Sequence, residues 1–403
     1  MLPSFTTFDD DYFRDPRQFY SKLGKSDKIH RFVAPSGTEG WVVTDRELAR
    51  KALTHPGLGK GHAAMTGSQT SAGVVGRLHR TATSYVITHM LGSNPPEHTR
   101  LRKTVADWFT PAAVEGMTPM ITELSSALIE SMRRSPAPDL VRDFAFSLPV
   151  QVICRILGVD DRHAQRIGEC SAVLSDVIVA DPGELRRAAV DIARLILPIL
   201  AARRFRPRND LISDLAAQQR RGEIATKEAL STIALLLIAG HETTSSLIVN
   251  TVLALTAHPE VRDRARSDSG ALDQVIEESL RFEPPLPVTT LREALEPVTL
   301  GGHQIDKGEI VMVSLLAANL DTPGCPMSFD PSRTGLRHMS FGYGIHYCVG
   351  AGLARTEAKI AISQLLEAFP KLELAVSHEE VDWRRSIFFR RAETLPLTLN
   401  SDF

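Results

Sequence analysis

The chain has 403 residues, 43% of them apolar and 23% charged, enough to bury a large core in one unit or in two or three smaller ones. A formal net charge of -2 removes bulk electrostatics as a reason to expect nucleic acid or a membrane surface as partner. Four scattered cysteines, Cys154, Cys170, Cys325 and Cys348, have no framework spacing, so free thiols in a reducing compartment are expected rather than disulfides.

The opening Met-Leu-Pro-Ser-Phe-Thr-Thr-Phe lacks the basic and apolar regions of a signal peptide or anchor, and a cytoplasmic protein is expected. Short β-like runs at Ile29–Val33 and Trp41–Thr44 come first, flanked by helical patterns. The stretch Gly57–Thr88 is rich in Gly, Ser, Thr and His and reads as a long functional loop. From Pro96 the periodicity turns helical, over Glu97–Phe109, Ala112–Met132, Phe144–Leu157, Pro182–Arg204, Lys227–Ala257 and Ala271–Arg281. The apolar run Ile233–Ala239 is shorter than the ~20 residues that span a bilayer and leads into His241 and Glu242, so it is read as a buried helix. A strand-rich patch, Val298–Ile305 and Ile310–Val313, precedes an irregular stretch, Asp321–Tyr347, and a last helix, Gly350–Phe369. No repeat or hinge-like linker appears, so residues 1–403 are expected to form a single mainly α domain with minor β.

Two places concentrate unusual chemistry. The first is Phe341-Gly-Tyr-Gly-Ile-His-Tyr-Cys348-Val-Gly350, a cysteine among glycines just before a helix. Turn amides and helix-start N–H groups stabilise a thiolate, and glycines let the backbone approach the sulfur and a flat macrocycle. A zinc site from Cys325, His338, His346 and Cys348 lacks paired Cys-x-x-Cys spacing, and a phosphate loop would need a Lys-Ser/Thr ending. The second is Ala239-Gly-His-Glu-Thr-Thr244, polar residues inside the most apolar helix. Such residues are costly unless satisfied or used. Thr243 can bond the carbonyl four residues back and open the helix locally, while Gly240 removes a side chain where a diatomic ligand would sit. His241-Glu242 fails as a metalloprotease motif because position 245 is serine.

The cysteine run resembles the cysteine loop of cytochromes P-450, matching at Phe341, Gly344, His346, Cys348 and Gly350, and Ala351–Arg355 looks like its continuation. The resemblance spans nearly the whole chain and is similar in kind to soluble actinobacterial secondary-metabolite hydroxylases. It implies that family's fold, with haem b between the oxygen-binding helix and the cysteine-loop helix. Cys348 is then the axial ligand to the iron, Gly240 lines the oxygen groove, and Glu242 with Thr243 delivers protons during oxygen activation. Glu278 and Arg281 form the family's E-x-x-R and pair with Arg333 to support the cysteine loop. His98, Arg102, Arg292 and His338 match contacts to the haem propionates. A substrate pocket is expected from Met65, Tyr85 and Ile87 in the long loop, Leu235, Ile238 and Ala239, Val288, Thr289 and Leu291, and Ile387 and Phe388.

The activity implied is a haem-dependent monooxygenase that inserts one atom of O2 into a C–H bond of a small molecule. Electrons would come from NAD(P)H through a ferredoxin reductase and an acidic ferredoxin, docking near Arg100, Lys103 and Arg355 on a monomer. Two other readings stay open: a haem-thiolate enzyme for oxidative coupling or peroxide-driven oxidation, and a haem sensor without turnover. Three departures stand out: Asn94 where aspartate is usual, Leu320 for an arginine, and Arg391 where a glycine usually follows Arg390.

Overall fold

The computed structural model describes residues 6–24, 26–34, 37–61, 88–175, 181–321, 327–333, 335 and 337–399. Met65, Tyr85, Ile87 and Cys325 lie outside the described residues.

Helix α10, Thr226–Ala257, runs through the centre of the helical half. It is apolar on nearly all sides, which suits a helix buried all round. It is long and apolar enough to cross a membrane, but 78% of its most apolar window is buried by other elements. Those elements include α6 (Ser147–Leu157), α7 (Ala164–Ser175), α8 (Pro182–Arg203), α9 (Leu211–Arg220), α12 (Ser269–Phe282) and α14 (Ala351–Ala368). Helix α5, Pro111–Arg133, packs against α14 and α6. Glu228 starts α10 by accepting the Ala225 N–H at 2.8 Å. That end is also pinned by the Arg100–Glu228 ion pair from α4, Glu97–Ala106.

The β half is built on a six-stranded mixed sheet in the order β1-β2-β3-β8-β5-β4, in which β1 is Thr6–Thr7. β2 (Ile29–Val33) and β3 (Glu39–Val43) pair antiparallel, and β3 runs parallel to β8 (Ile310–Val313). β5 (Arg292–Ala294) joins β8 to β4 (Leu58–Gly59), with Leu58 opposite Ala294. This register sets the start of the long loop beside Arg292. The predicted run Val298–Ile305 is a hairpin, β6 (Val298–Leu300) and β7 (His303–Ile305), turned by Gly301 and Gly302 at φ 61° and 86°. The predicted helix Phe144–Leu157 begins later, at Ser147, because Phe146 N–H bonds back to Val141 and closes a wide π-type turn over Val141–Ala145. The mainly α architecture with small sheets matches the expected fold class.

Candidate active site

The cysteine loop folds by backbone geometry that glycine permits. Gly342 and Gly344 adopt φ of 78° and 76°. The turn brings Cys348 N–H to the Phe341 carbonyl at 2.9 Å, and the chain enters α14 three residues later. The Cys348 side chain opens onto the main cavity while protein encloses it elsewhere. Burial pushes its thiol pKa up, opposed by the Gly350 amide and by Arg102 and Arg355. Gly344 is absent from the cavity wall. A Cβ there would meet the Leu53 carbonyl at 3.2 Å, so this glycine serves the turn and its packing on α3, Arg46–Thr54.

Across the cavity, α10 presents a stripe at i, i+4 spacing: Leu235, Ala239, Thr243 and Leu247, flanked by Gly240 and Thr244. Thr243 Oγ1 donates to the Ala239 carbonyl at 3.0 Å and Thr244 Oγ1 to that of Gly240 at 3.3 Å. The helix stays continuous despite these bonds, contrary to the expected local opening. Ile238 is rotated off the stripe and packs against the helical core. Glu242, fully buried, also points away from the cavity. Its Oε1 is held by Arg384 and lies 3.4 Å from Arg391 Nε, while its Oε2 has no hydrogen-bond partner. Arg391 therefore departs from the expected glycine without any positive-φ backbone; its side chain is an ion-pair partner of Glu242.

One end of the cavity gathers cations and imidazoles: Lys60, His98, Arg102, Arg292 and His346. His98 and His346 meet edge-on, ring centroids 4.5 Å apart, and both His98 ring nitrogens are buried without a partner. Burial together with Lys60, Arg292, His98 and Arg102 drives the His346 pKa down to about 3. Arg292, bonded to the Leu58 carbonyl at 2.9 Å, is lowered to about 10 by burial. Buried positive charge of this kind calls for an anion. The space between these walls is about 1530 Å³ free of protein atoms, part of it open to solvent, and most of its lining is apolar. A thiol facing a mostly apolar space with orphaned donors at one end fits a flat, dianionic iron porphyrin.

Other expected contacts fall elsewhere. His338, expected to contact a propionate, bonds Glu277 at 3.1 Å in a cluster with Arg355 and is absent from the cavity lining. Its ring is drawn to the nearest carboxylate. Thr289 reaches the cavity wall, but Val288, Leu291, Ile387 and Phe388 pack into a separate core with Phe8, Tyr12 and Phe32. The Tyr12 hydroxyl bonds the Ile387 carbonyl at 3.1 Å and holds that segment against the N-terminal helices. Glu278, Arg281 and Arg333 do come together. Arg281 grips Glu278 through two 2.7 Å bonds, and Arg333 Nε lies 3.6 Å away.

Two charged lining residues were not read from the sequence as part of the site. Lys60 looks like an ordinary loop lysine, and Glu357, buried on α14, looks like a solvated helix residue. Only the register of β4 and the packing of α14 carry them inside.

Known proteins bear on this geometry directly. Residues 163–384 match the family model described as Cytochrome P450. The chain is 35% identical to Cytochrome P450 107B1 of Saccharopolyspora erythraea over 98% of both chains. It is 36% identical to 6-deoxyerythronolide B hydroxylase of the same organism, over 90% of this chain and 91% of that one. A solved structure of the P450 monooxygenase TamI with tirandamycin C bound superposes at a TM-score of 0.89 and 33% identity, over 98% of this chain and 100% of that one. With a cysteine facing the cavity, a threonine-bearing helix across it and a cationic end wall, this chain belongs to the cytochrome P450 family and is an oxygen-incorporating haem oxidoreductase.

Proposed function

We propose that the 403 residues act as one haem b-holding domain, a cytoplasmic monomer that hydroxylates or epoxidises a medium or large secondary metabolite. The observation that carries this reading is the facing pair: the Cys348 thiol on one cavity wall and the Thr243 hydroxyl on the other. Cys348 would ligate the iron, with the Gly350 amide moderating the charge on sulfur. His98, Arg102, Arg292 and His346 would hold the porphyrin carboxylates. When bound, the haem supplies iron chemistry that activates dioxygen, and the thiolate's electron donation favours O–O cleavage.

The chain's own part is positioning and proton supply. Thr243 presents Oγ1 to the cavity while the Ala239 carbonyl fixes its rotamer. Glu242, one residue before Thr243, is proposed as the carboxylate of the proton path, held in this structure by Arg384 and Arg391 on the side away from the cavity. Apolar walls from Leu235, Leu236 and Leu247 exclude bulk water. Thr289 and Thr290 add the few hydroxyls that would orient a substrate with some polar groups. Relatives named for 6-deoxyerythronolide B and solved with tirandamycin C support that substrate class.

Electrons are proposed to come from NAD(P)H through a reductase and a small acidic ferredoxin. Of the expected docking residues, Lys103 is exposed, whereas Arg100 is engaged by Glu228 and Arg355 by Glu277. The docking contact therefore centres on Lys103. Lys103→Glu should weaken ferredoxin-driven turnover and spare peroxide-driven turnover; unchanged ferredoxin-driven turnover would argue against it.

The decisive test is the absorption spectrum of the reduced, carbon-monoxide-bound protein, wild type and Cys348→Ser. The red-shifted Soret band of thiolate-ligated haem in the wild type, lost in the variant, is the expected result. Its absence from freshly prepared folded protein would overturn the reading.

A further inference from the structure

The cationic end of the cavity holds one charge more than two haem carboxylates require. Arg102 and Arg292 would suffice for two carboxylates, yet Lys60 lines the same wall. Lys60 is only 8% exposed. Its Nζ donates to Thr290 Oγ1 and to the Leu291 carbonyl, both at 2.7 Å. An ammonium has three donors, so one remains for a further acceptor. Glu357, on α14, is the one carboxyl residue among the described lining, and Glu293 lies against Gly61 instead. Two neutral oxygens do not neutralise a buried ammonium next to Arg292.

The backbone around Lys60 is fixed with unusual care. Asn94 Oδ1 accepts the Lys60 N–H at 2.8 Å, and Asn94 Nδ2 donates to the Lys60 carbonyl at 3.0 Å. An ionised aspartate accepts only, so it would face the Lys60 carbonyl with a second oxygen. The carboxamide at position 94 is thus a two-point clamp on one residue. Gly59 makes room for it, since a Cβ there would sit 2.7 Å from Asn94 Oδ1.

We propose that Lys60, clamped through its backbone by Asn94, is a third cationic anchor for the haem carboxylates. This rests on the haem reading above. The third N–H of the ammonium takes a carboxylate oxygen, and the Thr290–Leu291 contacts tie that anchor to the segment leading into β5. The lysine so links the cofactor's edge to the wall that carries Thr289 and Thr290. Burial and Arg292 push the Lys60 pKa well down, as an ammonium without its counter-ion would show.

The test compares haem with its iron dimethyl ester, which has no carboxylates to bind. Full-length wild type, Lys60→Met, Lys60→Arg and Asn94→Asp are each reconstituted, and cofactor loss to excess apomyoglobin is timed. Lys60→Met should lose haem at least tenfold faster than wild type, the effect of one charge-assisted hydrogen bond. It should lose the ester at the wild-type rate. Lys60→Arg should restore most of the haem retention, and Asn94→Asp should shift haem loss in the same direction as Lys60→Met. Equal acceleration for haem and ester would make Lys60 a structural residue, and no acceleration for either would remove it from the site; both overturn the proposal. A wild type that never forms the thiolate-haem Soret band would overturn the haem reading itself, a result read before any variant is compared.

Discussion

Removing the Glu278 carboxylate should be among the most damaging single changes outside the cavity. Glu278 accepts two 2.7 Å bonds from Arg281 and the Asp330 N–H at 2.8 Å, with Arg333 close by. Glu278 and Arg281 have side chains 5% and 3% exposed, so solvent cannot replace what is lost. In Glu278→Ala, Arg281 keeps its 3.0 Å bond to the Ser328 carbonyl but loses the carboxylate that its Nε and one terminal nitrogen grip inside the protein. Breaking a buried pair from one side costs about 3–5 kcal/mol. The Ser328–Arg333 stretch, which leads toward the cysteine loop, loses its anchor at the same time. Urea unfolding followed by tryptophan fluorescence measures the effect, and with a slope of ~3 kcal/mol per molar the midpoint should fall by ~1–1.7 M. The double variant Glu278→Leu/Arg281→Met removes both charges and should be more stable than Glu278→Ala alone. A loss below ~1 kcal/mol in Glu278→Ala, or a double variant as unstable as the sum of the singles, would refute the buried-charge account.

Other outcomes follow from the same geometry. Thr243→Ala should keep reductant consumption but lower product formed per NAD(P)H by ~10-fold or more, the scale of a lost proton donor; product yield against NAD(P)H oxidation measures it. Arg391→Gly, restoring the residue usual in the family, should destabilise by about 1–3 kcal/mol because it strips a partner from buried Glu242, as thermal unfolding would record. His89 is buried and its pKa is lowered by burial to about 4, against 6.5 when exposed. The unfolded chain therefore binds a proton that the folded chain refuses between those values, so stability falls as pH drops from ~6.5 to ~4, by up to ~1.4 kcal/mol per unit. His89→Asn should flatten that slope in denaturation curves taken across the interval. Gly158→Ala should cost more than ~2 kcal/mol, since φ is 76° and a Cβ would press on the Asp210 carboxylate that holds Arg203.

Much of this protein is legible in its sequence, and the reason is local. A glycine-spaced cysteine before a helix, an apolar helix interrupted by Gly-His-Glu-Thr, and a Glu-x-x-Arg one turn apart are short-range patterns whose geometry is dictated by neighbours in the chain. The helical segments are legible on the same terms, since period and length decide them. Several shorter helices went unread although capping aspartates mark them: Asp210 accepts the Ser213 N–H at 2.8 Å at the start of α9, and Asp45 that of Leu48 at 2.7 Å at the start of α3.

What tertiary structure alone decided is direction. Glu242 and Thr243 are adjacent in sequence, yet about 100° of helical rotation sends one toward Arg384 and Arg391 and the other into the cavity. His338 is claimed by Glu277, and Val288, Leu291 and Ile387 face a second core instead of the cavity. Lys60 becomes an inner-wall residue because β4 pairs with β5 in a register that places it beside Arg292. Local patterns specify which chemistry is present, through spacing and backbone freedom. Long-range pairing specifies which side chains share a space, because only the packed chain fixes what each face of a helix or strand meets.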